Sequence, residues 1–205
     1  MIIWSDNDKI DKSKIDLIVS DLKKNKKCFD SNSRFYSSYF CPFEERPEKC
    51  LHDYYSCFLE RLLKDLTLHQ RTKCMCSSWM QVYYKGGGTL GPHIHFSGNE
   101  FLSWAHFIRP SSKKCFYFLK HDGEKMYPKQ QNEGDFIVFP SWALHGVDCN
   151  QDDNDRVVMS GNVMVQSIRS PMSPVNEHVS NAHVIHDRLT VWESNLQKNL
   201  KKGFG

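Results

Sequence analysis

At 205 residues, 40% hydrophobic and 25% charged, the chain is sized and composed for one globular domain with terminal elaborations, which excludes two full domains and wholesale disorder. A net charge of +3, dispersed along the sequence, leaves nucleic acid unindicated as a partner. No apolar run approaches bilayer length and MIIWSDNDKIDKSK lacks the basic, apolar, small-residue order of a signal peptide, so a soluble, cytoplasmic protein with no membrane partner is expected.

The first predicted element is a helix over Asp6 to Asn25, where Ile10, Ile15, Leu17, Ile18 and Leu22 recur at roughly helical spacing between an acidic start and a lysine-rich end. A polar, aromatic-rich connection from Cys28 to Pro47 follows. The stretch PEKCLHDYYSCFLERLLKDLTLH then reads as a longer amphipathic helix opening at Pro47. From Cys74 the texture changes to short apolar or alternating runs separated by Gly, Pro, Asn, Asp and Lys: CMCSSWMQVYYK, FLSWAHFI, KCFYFL, GDFIVFP, ALHGV and RVVMSGNVMV. The fold class expected is mainly β with flanking helices, a sandwich or small barrel; a jelly-roll double sheet is the form that leaves a mouth for a ligand. After Gln166 the segment SIRSPMSPVNEHVSN is turn-rich, and HDRLTVWESNLQKNLKK carries a helix-like charge pattern. The expected organisation is one domain: an N-terminal helical elaboration over 1–73, a β core over 74–166 and a C-terminal extension over 167–205, which either covers the barrel or contacts a neighbouring subunit in an oligomer. The eight cysteines are irregularly spaced, so reduced thiols are expected; Cys74 and Cys76 share a strand face and read as buried and inert.

The chemistry concentrates in GGGTLGPHIHFSGNEFLSWAHF. Side chains at i and i+2 of a strand point to one face, so His93 and His95 can converge on one metal ion, for which neutral imidazole is the commonest protein ligand. His145, at the end of GDFIVFPSWALHGVD, is distant in sequence but reachable in a double sheet. Period-two alternation puts Arg156, Val158, Ser160 and Asn162 on one face of their strand. An inward arginine beside a metal is costly unless it meets an anion, and a carboxylate-bearing cosubstrate gripped bidentately removes the cost. The bland alternative pairs Arg156 with Asp152, Asp153 or Asp155. Trp104 and Trp142 are weighed as substrate-binding residues against core packing, which is favoured for both.

Taken together, SSWMQVYYKGGGTLGPHIHFSGNEFLSWAHFIRP, GDFIVFPSWALHGV and RVVMSGNVMV resemble the iron(II)- and 2-oxoglutarate-dependent oxygenases, in particular a bacterial and phage branch with a His-x-His motif; the resemblance covers roughly Ser77 to Val165. It implies a double-stranded β-helix of cupin-like form. Iron(II) would be held by His93 and His145, and Arg156 would anchor the far carboxylate of 2-oxoglutarate with Tyr83 as a hydroxyl donor. Dioxygen would be the oxidant, with release of succinate and CO2 and hydroxylation of a small-molecule or peptide substrate. The superfamily's commonest pattern has Asp or Glu where this chain has His95; the branch's His-x-His form keeps His95 in the metal set, with Glu100 as the carboxylate that would otherwise complete it. Two other functions compete: a three-histidine iron dioxygenase that needs no 2-oxoglutarate, and a non-catalytic cupin-like binding domain.

Overall fold

The computed structural model describes residues 1–66, 72–96, 100–168 and 190–192. The chain begins with a strand where the helical spacing predicts a helix: β1 (Trp4–Asn7) runs antiparallel to residues 135–138. The Asp6 and Asp8 carboxylates each accept the N–H of the next residue at 2.8 Å, local bonds that compete with helix. The helix itself, α1 (Lys12–Lys24), starts where Asp11 accepts the Lys14 N–H and ends on Lys23 and Lys24. It buries Ile15, Ile18, Val19 and Leu22 and leaves Leu17 exposed.

A hairpin of β2 (Phe29–Asp30) and β3 (Phe35–Ser37) follows within the predicted connection. Cys28 and Cys41, flanking this hairpin, form a disulfide, which corrects the expectation of reduced thiols throughout; the other six cysteines are free. Pro47 opens a 3-10 turn over Pro47–Leu51 before α2 (His52–Asp65), and the end of the predicted helix beyond residue 66 lies outside the described residues.

Nine more strands follow among the described residues: β4 (Thr72–Tyr83), β5 (Leu90–His93), β6 (Glu100–Arg109), β7 (Phe116–Leu119), β8 (Lys125–Met126), β9 (Asp135–Pro140), β10 (His145–Val147), β11 (Arg156–Ile168) and β12 (Thr190–Trp192). The larger sheet has the order β1-β9-β6-β11-β4-β3-β2, with β12 also on β4; the smaller has the order β5-β10-β7-β8. Every pairing is antiparallel. β12 falls inside the stretch read as helical, whose remainder lies outside the described residues.

Strand alternation assigns the two faces of the larger sheet. Cys76, Met80, Val82, Trp104, Phe136, Val157, Met159 and Val163 pack with Ile15, Leu22, Tyr55, Phe58 and Leu62 of the helices. The opposite face contributes Tyr83, Ala105, Phe107, Ile137, Phe139 and Val158 to a second cluster with Phe116, Phe118 and Val147 of the smaller sheet. The two sheets thus enclose a jelly-roll interior, as the strand pattern predicts. No helix among the described residues is long and apolar enough to cross a membrane.

Candidate metal centre

The three histidines meet at one end of this interior. His93 closes β5 and His145 opens β10, and the two are direct partners in the antiparallel register. His95 lies two residues past β5, its N–H donating to the Ser141 carbonyl at 2.9 Å, which holds this segment beside the end of β9. One ring nitrogen from each of His93, His95 and His145 lies within 4.8 Å of those of the other two. The ring centroids are 4.4 Å apart for His93 and His145, 4.9 Å for His95 and His145 and 5.1 Å for the stacked pair His93 and His95.

Hydrogen bonding decides which nitrogen each ring presents. His93 Nδ1 is 2.9 Å from the Gly91 carbonyl and His145 Nδ1 is 2.8 Å from the Ala143 carbonyl. A carbonyl only accepts, so both Nδ1 atoms carry a proton, which leaves the Nε2 lone pair bare in the neutral ring. His95 Nδ1 lies 2.7 Å from Asn162 Oδ1, the same arrangement with a side-chain acceptor. His93 Nε2 and His95 Nε2 then face each other at 3.1 Å, two lone pairs that repel unless a cation lies between them. Burial lowers the pKa of His95 and pushes that of His145 down to about 3, so both rings are neutral at pH 7, as metal ligation requires. Three imidazole nitrogens at this spacing fit a divalent transition metal. Glu100 is not in this group of mutually close ligand atoms; its charge acts on His95 only as a minor influence against burial.

A cleft of about 410 Å³ runs inward from the rings, walled by Trp79, Leu90, Phe116, Phe139 and Val147 and reaching Tyr83 and Arg156. Arg156 starts β11 opposite Tyr83 of β4, and Val158 and Ser160 line the same cleft, as the alternation predicts. The acidic residues weighed as partners of Arg156 are engaged elsewhere. Asp152 accepts from the Ser112 N–H and hydroxyl, Asp153 pairs with Lys85 and Asp155 with Lys23. Arg156 is 3% exposed, its guanidinium 4.7 Å over the Tyr83 ring, and its Nη1 is buried with no hydrogen-bond partner. The Tyr83 hydroxyl is likewise buried and unpartnered. Burial pushes its pKa up to about 12 against the opposing guanidinium, so it stays a neutral donor. Phe35, from the N-terminal hairpin, stacks on the Tyr83 ring at 5.0 Å. On the other side Gly88, at φ +84°, leaves the ring its room: a Cβ there would lie 1.9 Å from it.

Trp104 borders the cleft, but its indole is 1% exposed and stacks on Tyr55 and Phe136 at 5.2 and 5.1 Å, so its place is the helix-side core. Trp142 departs from core packing: it is 58% exposed and, with Ile94, Phe96 and Leu144, leaves apolar side chains exposed on the segments that carry the histidines. Cys74 and Cys76 are buried and their thiols are pushed up in pKa by that burial, as expected of inert cysteines. Two contributors went unread in the sequence. Asn162 was signalled only by sharing the strand face of Arg156. Phe35, far away in the chain, gave no signal at all.

No protein-family model matches the chain, and no curated protein matches it in sequence. Solved structures do match in fold. A prolyl-4-hydroxylase of Pseudomonas putida aligns over 80% of this chain and 92% of its own at 10% identity, with a TM-score of 0.53. The viral collagen prolyl hydroxylase of Paramecium bursaria Chlorella virus-1, solved as a 2-oxoglutarate complex, aligns over 78% and 95% at 11% identity and a TM-score of 0.51. HygX of Streptomyces hygroscopicus, solved with nickel and 2-oxoglutarate, aligns over 78% and 81% at 10% identity and a TM-score of 0.53. At these identities the likeness is one of architecture, and the chain has the double-stranded β-helix fold that it shares with these solved structures.

Proposed function

We propose that the chain is an iron(II)- and 2-oxoglutarate-dependent dioxygenase that hydroxylates a small-molecule or peptide substrate. The observation that carries this reading is the pairing, in one cleft, of three imidazole nitrogens around a common point with a buried guanidinium that lacks an acidic partner among the described residues. The solved structures of the same fold, two of them holding 2-oxoglutarate, support it. When bound, iron(II), 2-oxoglutarate and dioxygen supply an oxidative decarboxylation that yields succinate and CO2 and places one oxygen atom in a substrate C–H bond.

In this reading His93, His95 and His145 hold the iron through Nε2, each ring fixed by the acceptor on its Nδ1. Arg156 grips the distal carboxylate of 2-oxoglutarate and Tyr83 donates its hydroxyl to the same group, which satisfies both orphaned atoms at once. Leu90, Phe116, Phe139 and Val147 exclude water from the reacting centre. Residues 74–166 carry the whole set and form the catalytic core, with 1–73 and 167–205 as flanking parts of the same domain. A cytoplasmic setting suits a ferrous site and the six free thiols, with the Cys28–Cys41 bond as the exception.

The third imidazole favours one second reading, a three-histidine dioxygenase in which Arg156 binds the substrate's own carboxylate; release of succinate separates the two. The test is anaerobic titration with iron(II) and 2-oxoglutarate, following the weak visible charge-transfer band of the chelate. The band is expected in the parent, and Arg156→Ala should weaken 2-oxoglutarate binding by about 2–5 kcal/mol, at least about thirtyfold. No band in the parent contradicts the reading.

A further inference from the structure

The three rings are not held alike. His93 and His145 donate their Nδ1 protons to main-chain carbonyls, which cannot change role. His95 alone is held by a side-chain amide, Asn162, whose Oδ1 also accepts the Ser103 hydroxyl at 2.9 Å. Asn162 faces Ser103 across the β11–β6 register, and Ser103 is fully buried, so the amide sits in a built pocket between two strands. An amide has two faces. Turned by half a revolution it offers Nδ2–H to His95, which would then need its lone pair on Nδ1 and its proton on Nε2. That proton points at His93 Nε2, 3.1 Å away, and would close the two rings on each other as a hydrogen bond in the place of an ion. Ser103, whose hydroxyl both donates and accepts, fits either arrangement.

We infer that Asn162 is a positioning residue that determines whether His95 presents a bare Nε2 to a metal, so that the third ligand of this site is set by an amide and not by the main chain. The inference rests on the metal reading of the three histidines. Asn162→Asp leaves, as a carboxylate, an acceptor with no N–H to offer and holds His95 in the ligating tautomer with greater basicity, whereas Asn162→Leu keeps the volume and removes the acceptor.

The test is cobalt(II) titration of the metal-free protein, without 2-oxoglutarate, in the parent and both variants, with 15N spectra of the histidine rings in the metal-free proteins. Asn162→Asp should bind cobalt at least as tightly as the parent with His95 protonated on Nδ1. Asn162→Leu should bind about 10- to 100-fold more weakly and give mixed His95 tautomers, with the metal-free unfolding midpoints of the two variants alike. Equal cobalt affinity in the parent and Asn162→Leu overturns this inference alone, as does an Asn162→Asp loss as large as that of Asn162→Leu, which would mark a packing role. No cobalt uptake by the parent overturns the metal reading and this inference with it.

Discussion

Arg156 Nη1 and the Tyr83 hydroxyl each forgo a hydrogen bond in the folded chain, and an orphaned buried polar atom costs about 1–3 kcal/mol. Such a cost is retained where a ligand repays it. Tyr83→Phe should therefore leave the ligand-free protein as stable as the parent or more so, while 2-oxoglutarate binding weakens by about 0.5–1.5 kcal/mol, roughly two- to tenfold; thermal unfolding and calorimetric titration check the two halves separately. Equal loss in both would make Tyr83 a packing residue. At this scale the sequence was most legible where strand alternation applied: the inward Arg156 and the i, i+2 histidines needed only a period of two. Asn162 stood on the same face, yet nothing in the sequence tells an amide that orients a ring from one that faces solvent. Trp104 and Trp142 look alike in sequence and end at 1% and 58% exposure, because Trp104 lies in β6 on the face that the helices cover and Trp142 in the turn between β9 and β10.

The glycine-rich turn between β4 and β5 links two parts of the site. Gly88 at φ +84° packs against the Tyr83 ring and donates its N–H to the Ser33 carbonyl at 2.7 Å, tying the turn to the β2–β3 hairpin whose Phe35 stacks on the same ring. Gly88→Ala must adopt a disfavoured backbone conformation and displace that ring. A loss of about 1–3 kcal/mol in stability is expected by urea unfolding, accompanied by weaker 2-oxoglutarate binding; a change in stability without a change in binding would separate the turn from the proposed cosubstrate site. Six strands, β4, β6, β7, β9, β10 and β11, were legible from short runs divided by turn residues. The first strand was not, because Trp4–Asn7 takes its identity from β9, a partner at the far end of the core that no local pattern reveals. The Cys28–Cys41 bond was hidden for the same reason: it joins the two ends of a hairpin that the sequence read as a plain connection.

Across the molecule, two buried histidines and the half-buried His95 make stability depend on pH. Burial lowers the pKa of His95, of His106, whose ring bonds the Tyr55 hydroxyl and the Asp8 carbonyl, and of His145, which falls to about 3. Each group's folded pKa is below its unfolded value near 6.5, so below that pH the unfolded chain takes up protons that the native state refuses. Stability is full above pH 6.5 and should fall by up to about 1.4 kcal/mol per pH unit for each such histidine as the metal-free protein is acidified, a slope that urea midpoints between pH 7 and 5 read directly. A flat profile would mean the rings are hydrated. Bound metal should steepen the acid loss, since protons and the ion compete for the same nitrogens.

In the proposed function the Nε2 atoms of His93, His95 and His145 share one ion while Arg156 holds an acid beside it. Anomalous diffraction from crystals grown anaerobically with manganese(II) and 2-oxoglutarate tests this arrangement. One anomalous peak within bonding distance of His93, His95 and His145 Nε2, with a 2-oxoglutarate carboxylate on the Arg156 guanidinium, is the expected result. A peak elsewhere, or a carboxylate that leaves Arg156 unpaired, would contradict it.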